Sequence, residues 1–303
     1  MNLVQREKHS LSSLCKLLGY SRQAFYKSIK SSQSELIMDE LIIHEVINIR
    51  KTQPKIGSRK LFYLLGDFMK EHNIEMGRDA FVNVLRENRL LIRKRRSRKP
   101  ITTFSNHPFR KYSNKIIGFI PIQPCQLWVS DITYIPVANG FCYLSLITDA
   151  YSRFIIGHSL SGYLDANSCV MALERALRTN PYCSGLILHS DRGLQYCSNK
   201  YIKLLNSMEI IISMTQNGDP LENALAERVN GILKSELLKN KYLNYEDALF
   251  GIDEAIMIYN YKRPHSSIDY LTPHEAHKLT GGGYLKRHWK NYYKSRKEVT
   301  IET

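Results

Sequence analysis

The sequence predicts an α/β protein: a mixed five-stranded sheet flanked by helices, preceded by small all-α modules of helix-turn-helix type. Three observations carry this. Hydrophobic residues recur at helical spacing up to about residue 88. Between about 127 and 212 the period shortens to that of strands, in five separate runs. Those runs are interleaved with helical stretches in the order β-β-β-α-β-α-β-α, which suits a layered sheet covered by helices.

Each element has its own justification. Leu11, Leu14, Leu17 and Leu18 lie at helical spacing. Gly19 can stop that helix and Ser21 can cap the next, which carries Arg22, Gln23, Tyr26 and Lys27. A short helix, a glycine turn and a second polar helix fit the helix-turn-helix plan, and a helical hairpin used only for packing fits the same pattern. Leu36, Leu41, Ile42, Val46 and Ile49 predict one further helix, 58–71 a second and 78–88 a third, the last two preceded by Gly57 and Gly77.

The strand runs are 127–135, 141–148 after the Asn139-Gly140 turn, 154–160, 186–188 and 210–212. The first three, with short connections, predict an antiparallel meander. Helices are predicted over 165–179, 198–208 and 222–239.

Charge is uneven. The whole chain of 303 residues carries 43 Lys+Arg against 28 Asp+Glu. Residues 1–119 hold 24 basic against 10 acidic side chains, whereas 120–250 hold 10 against 12. A basic front and a balanced centre point to a polyanionic partner, nucleic acid first. The densest run, Arg89, Arg93, Lys94, Arg95, Arg96, Arg98, Lys99, Arg110 and Lys111, contains no acid and reads as a basic linker making phosphate contacts. Six scattered cysteines, none in a Cys-x-x-Cys pair, indicate neither a zinc site nor a disulfide framework. No apolar run reaches membrane-spanning length, and the first residues lack the apolar stretch of a signal peptide.

Three carboxylates stand out. Asp131 lies inside the first strand, a poor place for a charge without a purpose. Asp191 follows the fourth strand, where open α/β sheets place ligands. Glu227 lies in the last helix, with Asn223, Asn230 and Lys234 on the same side and Leu225, Val229, Ile232 and Leu233 on the other. Asp149 reads as a turn cap paired with Arg153, His189 as a structural hydrogen bond and Trp128 as core. The His274-Glu275-Ala276-His277 segment lacks metalloprotease spacing, and Arg263 and His265 fit either DNA contact or packing.

These residues resemble a known pattern. Trp128 and Asp131 with Ile132-Thr133-Tyr134, His189-Ser190-Asp191-Arg192-Gly193, and Glu227 36 positions after Asp191 are similar to the D-D-(35)-E core of retroviral-integrase-like transposases. They resemble in particular the second-frame product of the IS3 insertion-sequence family. Lys234, seven after Glu227, matches the basic residue that follows the glutamate there. Tyr259-Asn260, Arg263-Pro264-His265, Ile268, Tyr270 and Thr272-Pro273 resemble that family's C-terminal pattern. Where the family often has Asp-Asn before the catalytic helix, this chain has Glu222-Asn223.

The resemblance implies an RNase H-like integrase core and a DNA transposase. Asp131, Asp191 and Glu227 would be catalytic and would hold two Mg²⁺ ions, with Mn²⁺ able to substitute. The implied reaction is end cleavage to a 3′-hydroxyl followed by strand transfer, with Lys234 contacting phosphate. DNA contact is further expected at Arg22, Gln23, Lys27, Arg93, Lys94, Arg95, Arg96, Arg98 and Lys99. Expected partners are element ends, target DNA, further copies in a synaptic complex and an upstream-frame product, in a bacterial cytoplasm at the nucleoid. A nuclease without joining activity, and a repressor with a silent catalytic body, are the alternatives. The expected division is 1–34 helix-turn-helix, 35–95 a helical module, 96–119 basic linker, 120–262 catalytic core and 263–303 C-terminal extension.

Overall fold

The computed structural model describes residues 11–92, 108–180, 184–216, 220–279 and 285. It divides into two compact units, one from 1–51 with 57–92, the other from 52–56 with 93–303.

In the first unit, α1 (Leu11–Leu17) ends at Gly19, whose φ of +75° is the left-handed conformation that favours glycine. The Tyr20 N–H donates to the Cys15 carbonyl at 2.8 Å and the Gly19 N–H to that of Lys16 at 3.2 Å, a Schellman closure. The Ser21 hydroxyl accepts from the Ala24 N–H at 3.0 Å and caps the following helix, as its position predicts.

That helix, α2 (Arg22–Thr52), corrects an expectation: the helix carrying Arg22 and the helix through Leu36–Ile49 are one, running across the boundary expected at 34/35. The stretch contains neither glycine nor proline, so nothing in it breaks the hydrogen-bond ladder. Helices α3 (Ser58–Leu64), α4 (Gly66–Glu71) and α5 (Arg78–Glu87) follow, the expected 58–71 helix being interrupted at Leu65. Ile42, Val46, Leu61, Leu65, Met69, Phe81, Val84 and Leu85 are buried in this unit.

The second unit is built on β1 (Leu127–Val137), β2 (Gly140–Asp149), β3 (Ile155–Ser161), β4 (Ile187–Ser190) and β5 (Ile211–Met214), in the order β3-β2-β1-β4-β5. β1–β2 and β2–β3 are antiparallel, as the meander requires, while β1–β4 and β4–β5 are parallel. Helices cover both faces, which is why the strands are apolar almost throughout. On one face α6 (Ala166–Thr179) and α7 (Asn199–Ser207) pack with Trp128, Ile147, Ile156 and Leu188. Here β3 and α6 approach so closely that a Cβ on Gly157 would lie 2.2 Å from the Ala172 carbonyl oxygen.

On the other face lie α8 (Ala224–Ile232) and α9 (Tyr245–Tyr261), with Ile135, Leu144, Leu146, Val229, Ile232 and Leu233 in the shared core. The single helix expected over 222–239 is three segments: a 3₁₀ turn at Pro220–Asn223, α8, and a π-turn at Leu233–Leu237. The π-turn is closed by the Leu238 N–H donating to the Leu233 carbonyl at 2.8 Å.

Residues 108–119, the described part of the expected linker, bury Ile116 beside Leu127, Val129 and Ala226. The Lys115 N–H there donates to the Ser213 hydroxyl. After a 3₁₀ turn at Ser266–Ile268, the short α10 (Pro273–Lys278) carries a capping box between Thr272 and Glu275. Ile268, Ala276 and Leu285 cluster with Tyr151.

Candidate nucleic-acid-processing site

Asp131 and Asp191 are placed by strand register. Parallel pairing of β1 and β4 sets Trp128 opposite Leu188 and Val129 opposite His189. Asp131 lies two residues beyond Val129, still within β1, and Asp191 two beyond His189, one residue past the end of β4. Asp191 is turned by a tight local bond, its Oδ1 accepting from the Gly193 N–H at 2.9 Å. Asp131 is half-buried and its Oδ2 accepts from Asn230 Nδ2 at 2.7 Å.

Glu227 stands in the first turn of α8, which lies against β1. The helix presents the two sides its sequence predicts. Val229, Ile232 and Leu233 are buried in the core, and Asn223, Glu227, Asn230 and Lys234 share the side toward β1 and solvent. Asn223 donates through Nδ2 to the Ser130 carbonyl at 3.0 Å.

The electrostatics tie the three acids together. Burial pushes the Asp131 carboxyl up to about 7, and the charges of Asp191 and, to a smaller extent, Glu227 push the same way. The Asn230 amide and the Ile132 N–H oppose that rise without cancelling it. Lys234 is exposed; partial desolvation holds its pKa below the usual lysine range, against the attraction of Asp131.

The structure thus brings Asp131, Asp191, Glu227 and Lys234 into one neighbourhood. Among the described residues, no group of three or more His, Cys, Asp or Glu side chains is disposed to hold a metal ion. The donor set is nevertheless one that a hard divalent cation favours. It consists of carboxylate oxygens only, with one carboxyl group penalised by its charged neighbours.

Other expected residues resolve plainly. Asp149 is fully buried and caps its turn, accepting from the Ser152 N–H and hydroxyl at 2.7 and 2.8 Å and from the Cys125 N–H at 2.8 Å. The buried Arg153 feels the Asp149 charge as expected, but its guanidinium donates to the Ala150 carbonyl and the Ser267 hydroxyl. His189 is buried and bonded through Nδ1 to Ser213 at 2.8 Å, and desolvation lowers its pKa to about 4, so it is neutral. Trp128 is core. Arg263 is buried and forked onto Glu236 at 2.9 and 3.0 Å, and His265 packs edge-on against Tyr259, so both belong to packing. His277 bonds Ser152 and stacks on Phe154.

Of the expected DNA-contact residues, Arg22, Gln23 and Lys27 are exposed at the start of α2. Arg93, Lys94, Arg95, Arg96, Arg98 and Lys99 lie outside the described residues. Asn223 and Asn230 are the site residues that sequence reasoning left without a role. Their only signal was the shared side with Glu227.

Comparison with known proteins adds the following. Two models, each described as "Integrase core domain", match residues 121–220 and 208–273. The chain is 31% identical over 265 residues to an uncharacterized 31 kDa protein of insertion element IS600 from Shigella sonnei, covering 86% of this chain and 96% of that protein. It is 31% identical over 184 residues to the transposase of IS629 from the same organism, covering 60% and 62% of the two chains. With the transposase of IS904 from Lactococcus lactis it shares 34% over 162 residues, covering 53% and 64%. The chain therefore spans less than two thirds of the length of those two transposases. Among solved structures, the HTLV-2 integrase catalytic core in complex with magnesium is similar at 18% identity and a TM-score of 0.41, over 52% of this chain and 98% of that one.

Proposed function

The chain belongs to the IS3-like insertion-sequence transposases with an integrase core domain, DDE-type polynucleotidyl transferases, and from that premise we propose that it cleaves the ends of its element and joins them to target DNA. The observation that carries this reading is the shared field of the three acids. Asp131 is pushed up to about 7 partly by Asp191 and Glu227, residues far apart in sequence that a purely structural core would have no reason to gather.

Asp131, Asp191 and Glu227 would hold two divalent cations, Mg²⁺ or Mn²⁺ in its place. Such ions, when bound, neutralise the attacking and leaving oxygens of an in-line phosphoryl displacement. Water is the first nucleophile and the 3′-hydroxyl of the DNA the second, so no side chain forms a bond to phosphorus. Lys234, exposed beside Asp131, contacts the phosphate next to the scissile bond. His189 takes no part in proton transfer, being buried and neutral. Arg22, Gln23 and Lys27 grip element ends, helped by the basic run 93–99. Two protomers hold two ends.

The test is incubation of the protein with supercoiled plasmid and an end-bearing oligonucleotide in Mg²⁺. Joined products are expected. Nicks without joining would reduce the protein to a nuclease, and neither product would make it a binding protein.

A further inference from the structure

The backbone ladder between β1 and β4 ends at Val129 and His189, so it stops short of both acids. Ser130, between Val129 and Asp131, is buried and carries a bridge of another kind. Its Oγ lies 3.0 Å from the Leu146 carbonyl oxygen and 2.9 Å from the Tyr196 hydroxyl. A serine hydroxyl has one hydrogen, and a carbonyl can only accept. Ser130 therefore donates to Leu146 on β2, and Tyr196 donates to Ser130.

Tyr196 closes the turn that begins at Asp191. The Gly193 N–H donates to Asp191 Oδ1 at 2.9 Å, and the Gly193 carbonyl accepts from the Tyr196 N–H at 3.0 Å. A Cβ on Gly193 would stand 3.0 Å from that same carboxylate oxygen, so the turn wraps closely round the acid. The Tyr196 ring is buried in the core beneath α6 and α7, edge-on to Tyr201 with centroids 5.6 Å apart. A hydroxyl in such surroundings costs free energy unless it is bonded, which favours its hold on Ser130. Three hydrogen bonds thus run from Asp191 through Gly193 and Tyr196 to Ser130, the residue before Asp131.

Resting on the reading of Asp131 and Asp191 as catalytic acids, we propose that Tyr196 is a positioning residue of the reaction. Its hydroxyl takes over where the ladder stops and fixes the turn carrying Asp191 against the strand carrying Asp131. Being buried, it reaches no DNA and acts through the spacing of the two acids. Misplacing reacting groups by about 1 Å costs up to about a hundredfold in rate.

The experiment measures, on the full chain in Mg²⁺, the first-turnover rate of end cleavage at saturating end-bearing oligonucleotide, with end affinity by gel shift and folding by circular dichroism. Tyr196→Phe keeps the ring and removes only the hydroxyl. It is expected to slow cleavage on the order of tenfold, with end affinity within about twofold of wild type and the fold unchanged. Ser130→Ala removes the other end of the bond and also frees the Leu146 carbonyl. It serves if the phenylalanine variant does not fold, and is expected to slow cleavage at least as much. The double variant is expected to be no slower than Ser130→Ala, because both changes delete the same bond. Ser145→Ala deletes a buried hydroxyl bond to Ser168 of α6 and reads general loosening of the core; it is expected to cleave within about twofold of wild type. The proposal is overturned if Tyr196→Phe cleaves at the wild-type rate, if the two single effects multiply in the double variant, or if Ser145→Ala slows cleavage as much. Asp191→Asn separates the two readings: if it cleaves like wild type, the acids are not catalytic and the premise falls. If it is inactive while Tyr196→Phe is not slowed, only the role of Tyr196 falls.

Discussion

Asp131 lies two residues past Val129 on β1 and Asp191 two residues past His189, one beyond the end of β4, so both follow the last rung of the parallel β1–β4 pairing. The charge of Asp191 reaches Asp131 strongly enough to help raise its carboxyl, after burial itself.

Replacing one of them should separate chemistry from binding. Asp191→Asn keeps the shape and one acceptor for the Gly193 N–H. Cleavage and joining are expected to vanish in an oligonucleotide assay, with end binding in gel shift held within a few-fold. A parallel loss of binding would make the acid structural.

The raised Asp131 carboxyl gives a signed pH dependence. Its folded pKa, about 7, lies above the ordinary 3.8, so the fold prefers the neutral acid. In cation-free protein its contribution to stability therefore falls as pH rises from about 4 to about 7, and is flat above that. Mg²⁺ should raise the melting midpoint more at about pH 8 than at about pH 5.5, where protons compete for the same oxygens. Asp131→Asn should remove both effects in scanning calorimetry. A Mg²⁺ shift that survives in the variant would place the ion elsewhere.

Arg263 and Glu236 form a buried fork with side-chain exposures of 2% and 18%. Arg263→Ala removes this fork and is expected to destabilise the catalytic unit by about 3–5 kcal/mol in urea. Lysine should recover only part of this, because it cannot donate in the same planar pair.

Arg22 and Lys27 are exposed. Replacing both by alanine should shift stability by less than about 0.5 kcal/mol. The same double variant should weaken end binding and flatten its salt dependence by about one unit of log–log slope per lost phosphate contact. Unchanged affinity and slope would move the DNA grip elsewhere.

His277 titrates in the opposite sense to Asp131. Burial lowers its pKa, with Asp149 opposing the shift and His274 reinforcing it, while Ser152 and Phe154 hold the ring. The stability it contributes is present above about 6.5 and is lost as pH falls from there toward the lowered folded value. His277→Gln should flatten that part of a urea-midpoint profile, and an unchanged profile would exclude the residue.

Much of the catalytic unit was legible because its strands are buried on both sides and punctuated by turns: Asn139-Gly140 announces the first hairpin, and Asp165 caps α6. The long α2 was not, because the polar stretch around residues 30–34 resembles a linker; the absence of glycine and proline was the stronger signal. The polar stripe of Asn223, Glu227, Asn230 and Lys234 was visible as a helical side. What it touches was not, since no local rule says which strand a helix will lie on. The π-turn after Ile232, closed by Leu238 onto Leu233, likewise carries no glycine or proline to announce it. Asp149 was read correctly as a cap. Arg153 is attracted by its charge, yet the guanidinium donates to the Ala150 carbonyl, a partner that sequence spacing does not single out.

The three acids are not mounted alike. Asp131 is set in a ladder of backbone bonds, Asp191 follows the end of one, and Glu227 rides on a helix tied to β1 by a pair of amides. Each acid therefore depends on a different contact, so substitutions at Gly193 and Asn230 address two of the mountings separately.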